Sequence, residues 1–438
     1  MDERALAYLR TLVYAALLGI PVAFAAVLFQ TAIHDVAHVA WVTIPDEFGW
    51  SEPADWYVIL VVGLAGLLVA GACRLPGDGG HSPLQGLSTE GVSPRDLWSI
   101  LLAGLASLAL GAVLGPEAPL IALGLVLGVV AARLTRMEGT EGQLLGLAGA
   151  FAAIAALIGG PLVAAFLLFE ITTAKGTIPA QALGRALLPG FVAAGAGALV
   201  FTGVQDWPGL HQASLAIPSL PTYETVQIDD LAWSFPLAAV VAIIVVGIRH
   251  GAHEVAARSA GRPVAVLVGA GLLIGGLAVI FRAVTYEPVD LVLFSGQQAL
   301  PDIVVEGSAG VLAFLVVTKG LAYALSMGAG FRGGPIFPAL AIGTATGVLA
   351  ADILPGLDLT PAVAVGLAAA TSAVLRIPFT AVLLASLLVG SSATEVAPIA
   401  VLAAATGWVV AVALPNPEDR AAAKEAAKAA AAPEPAAP

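Results

Sequence analysis

Gly111-Ala-Val-Leu-Gly-Pro-Glu-Ala-Pro119 places one carboxylate, Glu117, among two prolines and two glycines, with an apolar run directly behind it. Proline suits the first turn of a helix, where its missing N–H has no intrahelical role. The spacing therefore predicts a helix that starts at about Glu117. No basic residue lies near in sequence, and a carboxylate inside an apolar segment is costly enough to be a functional candidate by default. The competing reading is a surface carboxylate that caps its own helix.

Two further turns have the same character. Gly77-Asp-Gly-Gly-His-Ser-Pro83 and Gly333-Gly-Pro-Ile-Phe-Pro338 each precede an apolar stretch. Glycine permits close approach of the backbone to a ligand. A helix start leaves free N–H donors at the positive end of its dipole. Several such starts that converge would hold a dehydrated anion without a full positive charge, weakly enough to let it leave again. Glu117 at such a start would imitate that anion, and its protonation would empty the site.

The rest of the chain supplies the setting. Of 438 residues, 59% are hydrophobic and only 11% charged, where a soluble domain carries roughly a quarter charged residues. Residues 12–29, 57–73, 97–113, 186–204, 231–248, 263–280 and 396–414 form apolar runs near the ~18–20 residues that a membrane-crossing helix needs. In hydrocarbon such runs must be helical, because the backbone finds no water partners. Acidic residues in the first ten positions, and an apolar run that continues to Phe29, argue against a cleavable leader. The single cysteine, Cys73, excludes an intramolecular disulfide and a multi-cysteine metal centre. A net charge of −12 speaks against nucleic-acid binding. No cofactor or metal is expected.

Arg4 and Arg10 precede the first run, and Arg420, Lys424 and Lys428 follow the last. No Lys or Arg occurs between Arg185 and Arg249, where Asp206, Glu224, Asp229 and Asp230 lie. This asymmetry predicts cytoplasmic termini and an external loop at 205–230. Residues 415–438 read as a disordered Ala/Pro-rich tail, which leaves 1–414 as one transmembrane domain.

Two halves of that domain match. Pro119-Leu-Ile-Ala-Leu-Gly124 resembles Pro338-Ala-Leu-Ala-Ile-Gly343, and 149–164 resembles 366–381 at nearly the same offset. Internal symmetry with broken, Gly/Pro-interrupted helices predicts two repeats, about 10–205 and 231–414, that meet at a midplane site. The fold expected is all-α, a polytopic membrane protein of two inverted repeats of tilted and broken helices.

At this point the chain resembles the chloride-channel (CLC) family. Gly111–Pro119 is similar to the family's GxxxGxEGP signature, with Ala118 in place of glycine. Gly334-Pro-Ile-Phe-Pro338 is similar to GxFxP, and Gly79-Gly-His-Ser-Pro83 to GSGIP. The resemblance runs from about residue 10 to 414. It implies an anion pore gated by Glu117, with chloride as the substrate and amides of Ala118, Ile336 and Phe337 as anion ligands. It also implies a homodimer in a lipid bilayer, the plasma membrane of a prokaryote, with one pore per subunit.

Four departures modify that picture. Gly80 replaces the signature serine, so His81 or Ser82 would have to supply a side-chain ligand; His81 also reads as a plain cap for its turn. Pro335 removes one amide donor. The last tyrosine in the chain is Tyr323, so the family's pore-lining tyrosine near the C-terminus has no counterpart. Ile171 occupies the position of the inward glutamate that relays protons in exchangers, with Glu170 one residue away as the remaining candidate. A step of one residue turns a side chain by about 100° around a helix. These features favour a passive chloride channel over a chloride/proton antiporter. A fluoride exporter of the same family, and a membrane enzyme or scaffold, are weaker readings. Arg376 and Lys319 read as cations bonded to carbonyls at helix ends.

Overall fold

The computed structural model describes residues 3–137, 139–174, 183–204, 215–259, 263–415 and Arg420. The external loop expected at 205–230 lies partly, and the tail almost wholly, outside the described residues. The first half comprises α1 (Glu3–His38), a π-helical stretch (Val39–Thr43), the short α2 (Ile44–Glu47) and α3 (Asp55–Ala72). It continues with α4 (Leu97–Ala109), α5 (Glu117–Leu134), α6 (Gly139–Ile158), α7 (Pro161–Ala174) and α8 (Leu183–Val204). The second half runs through α9 (Ile228–Arg258), α10 (Pro263–Thr285), the short α11 (Leu300–Val305) and α12 (Ala309–Ala329). It closes with α13 (Ile336–Ile353), α14 (Leu359–Leu375), α15 (Pro378–Val389) and α16 (Ala393–Ala413).

Among the described residues, nine helical segments are long and apolar enough to cross a membrane. The outer faces of the bundle leave Leu17, Leu67, Ile243, Leu273 and Val409 half exposed or more, an apolar surface that suits lipid. Inside, large residues such as Phe151, Phe281, Phe331 and Phe337 are fully buried. The all-α, polytopic reading holds.

The repeat is visible in packing. Helix α5 lies on α6 as α13 lies on α14, and α6 on α8 as α14 on α16. The contact points are the duplicated glycines. Gly124 faces the Gly149 carbonyl and Gly149 faces that of Gly124; Gly343 and Gly366 reproduce the arrangement 217–219 residues later. With no Cβ at these crossings the backbones touch directly, as small residues allow between membrane helices.

Two sequence expectations fail here. The run at 97–113 is not a span: α4 ends at Ala109 after 13 residues, because Gly111, at φ +98°, turns the chain back toward Glu117. The turn at Gly77–Pro83 opens no α-helix. It leads only to a three-residue 3-10 turn (Pro83–Gln85), which Gly86 at φ +73° terminates. So short an element has no dipole to offer an anion, which withdraws the helix-start argument for Gly80, His81 and Ser82.

Buried cations are spent on carbonyls. The Lys319 ammonium donates to the carbonyls of Leu291, Val292 and Leu293 at 2.9–3.1 Å. Arg376, the left-handed C-cap of α14, donates to the Ala411 carbonyl near the end of α16. In the first turn of α9, the buried Asp230 carboxylate accepts from the Tyr223 hydroxyl (2.7 Å) and the Asp358 amide (2.9 Å). The Tyr223 hydroxyl in turn accepts from the Gln227 amide. Burial, then the neighbouring Asp230, pushes the Tyr223 hydroxyl up to about 12. It therefore stays a donor below its ordinary value near 10, and this brace is lost only as pH rises through about 12.

Two stability outcomes are expected. Gly343→Ala pushes a methyl into the Gly366 carbonyl and should cost about 1–3 kcal/mol, read as a fall in the thermal midpoint in detergent, with the same effect from Gly124→Ala. Tyr223→Phe strands a buried carboxylate oxygen and should cost a similar ~1–3 kcal/mol, by the same measurement.

Candidate anion site

The turns before α5 and α13 meet head to head. The Gly115 amide donates to the Gly334 carbonyl at 2.7 Å, and the Gly334 amide to the Gly115 carbonyl at 2.5 Å. These residues are 219 apart, the offset of the Pro119/Pro338 repeat, so each pairs with its own equivalent. Such an antiparallel exchange between equivalents makes the bridge a local two-fold centre. It satisfies four backbone groups deep in the protein, where any left unpaired would be expensive. Pro116 and Pro335, next in each chain, have no N–H to satisfy.

Glu117 lies across this bridge and is fully buried. Its Oε1 accepts from the amides of Ile336 and Phe337, both at 3.1 Å. These are the first two N–H groups of α13, orphaned by helix geometry. A carboxylate at the start of α5, in one half, therefore caps α13 in the other half. Its second oxygen, Oε2, has no hydrogen-bond partner. A methyl on Gly115 or Gly334 would overlap this carboxylate, so both glycines are required by its seat. The Tyr323 hydroxyl, fully buried, donates to the Pro335 carbonyl at 2.6 Å. It thereby fixes the turn that presents the two amides.

The remaining anion-ligand candidates lie elsewhere. Ala118, one residue beyond Glu117, faces a separate cavity of about 30 Å³ together with Gly80 and His81. The His81 side chain is 41% exposed and stands 4.0 Å from the Glu90 carboxylate. Ser82 is not part of that lining, and its side chain caps nothing. Ser88 lines the cavity instead. The structure thus brings Glu117 together with Ile336 and Phe337, and groups Ala118 with Gly80 and His81.

Glu170 is buried on α7 and occupied by both oxygens. It accepts from the amides of Phe379 (3.0 Å) and Thr380 (2.6 Å) and from the Thr380 hydroxyl. It caps α15 across the halves, much as Glu117 caps α13. Ile171 beside it is buried and apolar.

A cavity of about 920 Å³ comes up to the bridge, where Leu114 and Pro116 form part of its wall. His34, His38, Glu287, Asp290, Asp302 and Glu306 also line it. Burial pushes the Asp290 carboxyl above its ordinary range, and the nearby Lys319 ammonium acts in the opposite sense.

Sequence reasoning did not single out Arg249 or Arg332, and it did not give Tyr323 a role. Arg249 on α9 donates to the carbonyls of Val374 and Leu84, joining α14 to the first turn. Arg332 stands directly before Gly333. A lone arginine ahead of a Gly-Gly-Pro turn was the available signal for it.

Comparison with known proteins agrees with this geometry. Residues 80–411 match the family model described as voltage gated chloride channel. A protein of Escherichia coli named for ion transport, YfeO, is 28% identical over 356 residues, covering 79% of this chain and 81% of its own. Its Salmonella typhimurium counterpart is 29% identical over 350 residues, covering 78% and 81%. Among solved structures, a slow cyanobacterial Cl⁻/H⁺ antiporter superposes with a TM-score of 0.77 at 21% identity, covering 93% of this chain and 95% of its own. A CLC-type fluoride/proton antiporter gives 0.69 at 17% identity, covering 92% and 95%. With the matched region spanning most of its length, the chain belongs to the voltage gated chloride channel (CLC) family and is an integral membrane ion-transport protein.

Proposed function

We propose that this protein conducts chloride and similar small anions passively, through a site that the ionised Glu117 carboxylate fills and blocks. The observation that carries this reading is Glu117 Oε1 on the amides of Ile336 and Phe337. Two N–H groups at the positive end of α13 hold a carboxylate there, and the same donors suit a dehydrated anion. An anion and the carboxylate compete for one place. Protonation at the unpartnered Oε2 would remove the charge that competes.

Passive transport is favoured by what surrounds α7. Ile171 cannot carry a proton, and Glu170 has both oxygens engaged on the start of α15. The second reading is chloride/proton exchange, with Glu170 as the inner relay; the antiporter named above, which shares the fold, supports keeping it. A homodimer with one pore per subunit and cytoplasmic termini completes the proposal.

Chloride efflux from proteoliposomes, with simultaneous recording of external pH, tests the proposal. Efflux without opposed proton movement is expected, and a fixed chloride-to-proton ratio across pH would replace the channel by the exchanger. Reversal potentials should follow chloride and bromide, and a potential that follows sodium or potassium would overturn anion selectivity. Including fluoride in the series tests a fluoride exporter. External acid should raise the flux, since protonated Glu117 releases the amides. Glu117→Gln is close in shape and neutral, so it should fold normally and give a flux with little remaining pH dependence. Wild-type flux and wild-type pH dependence in that variant would remove Glu117 as the gate.

A further inference from the structure

The scaffold that holds the Gly115–Gly334 bridge is duplicated, and one side chain breaks the duplication. The Ser326 hydroxyl on α12 accepts from the Val113 amide (3.0 Å), and the Ser107 hydroxyl on α4 accepts from the Arg332 amide (2.9 Å). The 219-residue offset of the repeat relates these two bonds, so a serine of each half holds the turn of the other. Tyr323 lies three residues before Ser326, on the same face of α12. Its counterpart at that offset is Gly104 on α4. A methyl at Gly104 would overlap the Pro119 ring, so the first half has no room for a side chain there. The tyrosine is therefore a departure from the repeat, and it falls on the side where the Glu117 carboxylate is seated.

The Tyr323 hydroxyl donates to the Pro335 carbonyl at 2.6 Å. That carbonyl and the Ile336 N–H are the two ends of one peptide unit, coupled by amide resonance. A hydrogen bond accepted at the oxygen draws electron density from the nitrogen and makes the N–H a stronger donor, as in any polarised chain of hydrogen bonds. The Ile336 N–H is one of the two donors on Glu117 Oε1. Hydroxyl, peptide unit and carboxylate thus form one continuous chain. Tyr323, Pro335, Ile336 and Glu117 are all buried, where such polarisation is least screened.

We infer that Tyr323 is a positioning residue for anion transport: its hydroxyl orients and polarises the Ile336 amide and so strengthens the hold of the α13 donors on negative charge, carboxylate or chloride. This rests on the gate proposed above and names a residue that tunes it. The neighbouring charged groups are engaged elsewhere. Arg249 on α9, whose charge reaches the tyrosine hydroxyl, donates to the Val374 and Leu84 carbonyls. Lys319, one turn earlier on α12, donates to the carbonyls of Leu291, Val292 and Leu293, and Glu170 caps α15. His34, His38, Glu287, Asp290, Asp302 and Glu306 line the cavity that comes up to Leu114 and Pro116. A change at Tyr323 alters none of these groups.

The test is chloride flux from proteoliposomes of the full chain, measured against chloride concentration and against external pH. Tyr323→Phe removes only the hydroxyl. It should raise the half-saturating chloride concentration about threefold, the scale of a polarised donor returning to an ordinary one. Weaker donors also favour the neutral form of Glu117. The rise of flux with acid should therefore move to higher pH by about half a unit, the equivalent of threefold. Site-specific 3-fluorotyrosine at position 323 keeps the bond to Pro335 but carries a more acidic, stronger-donating hydroxyl. It should shift both midpoints the opposite way, and it keeps the test open if Tyr323→Phe does not fold. In a Glu117→Gln background, Tyr323→Phe should still raise the half-saturating chloride concentration. A tyrosine with a purely structural role would lower the thermal midpoint in Tyr323→Phe and leave both flux midpoints where they are. That outcome, or a fluorotyrosine protein that matches wild type in both, would overturn the inference. Unchanged pH dependence in Glu117→Gln alone would instead overturn the gate.

Discussion

The exchange of two backbone hydrogen bonds between Gly115 and Gly334 sets the geometry on which the rest of the interior depends. Each glycine is followed by a proline and then by a helix, α5 or α13. Hydrogen-bonded to each other, the two glycines satisfy their own polar groups at that depth, and side chains such as Tyr323 and Ser326 take up other backbone groups of the turns. The paired turns also fix α5 and α13 with their positive ends at the centre of the molecule. An apolar bundle of continuous helices would place every helix end at a surface. Here two ends are held inside, and that is what creates a place for negative charge in a protein whose core is otherwise alanine, leucine and valine.

The glycines do two unlike jobs. At Gly115 and Gly334 the missing Cβ leaves room for the Glu117 carboxylate. At Gly124, Gly149, Gly343 and Gly366 it lets helix backbones come together, which draws α5 onto α6 and α13 onto α14. The second job supports the first, because a helix held by close backbone contact can present its first amides at a fixed position. Glu170 of α7, capping α15, and Glu117 of α5, capping α13, then follow one rule: a carboxylate from one half caps a broken helix in the other. The two differ in what remains. Glu170 has both oxygens bonded and acts as a tie between halves, whereas Glu117 keeps one oxygen without a partner.

The cations divide in a similar way. Lys319 and Arg376 neutralise carbonyls at the ends of short or terminated helices, and Arg249 bridges two such carbonyl groups. Each adds cohesion where backbone oxygens would otherwise be stranded. Arg332 differs because, beside its bond to the Asp78 carbonyl, its buried Nε has no hydrogen-bond partner.

The sequence by itself determined the class of structure and its doubling. Long uncharged runs leave only helices in a bilayer, and the Pro119/Pro338 and Gly124/Gly343 matches mark the repeat because those residues are constrained by backbone geometry. Glu117 was legible for the same reason: a carboxylate between prolines at a helix start is conspicuous in an apolar chain. The fate of each Gly/Pro-rich turn was not legible. Gly77–Pro83 reads like the other two, yet only a three-residue 3-10 turn follows, because Gly86 breaks the chain before a second helical turn can form. Partners 200 residues apart were equally hidden. Which amides Glu117 occupies, what Glu170 caps and which carbonyl Arg332 reaches were decided when the two halves packed, since hydrogen bonding to a helix end depends on position in space and leaves no local pattern in the chain.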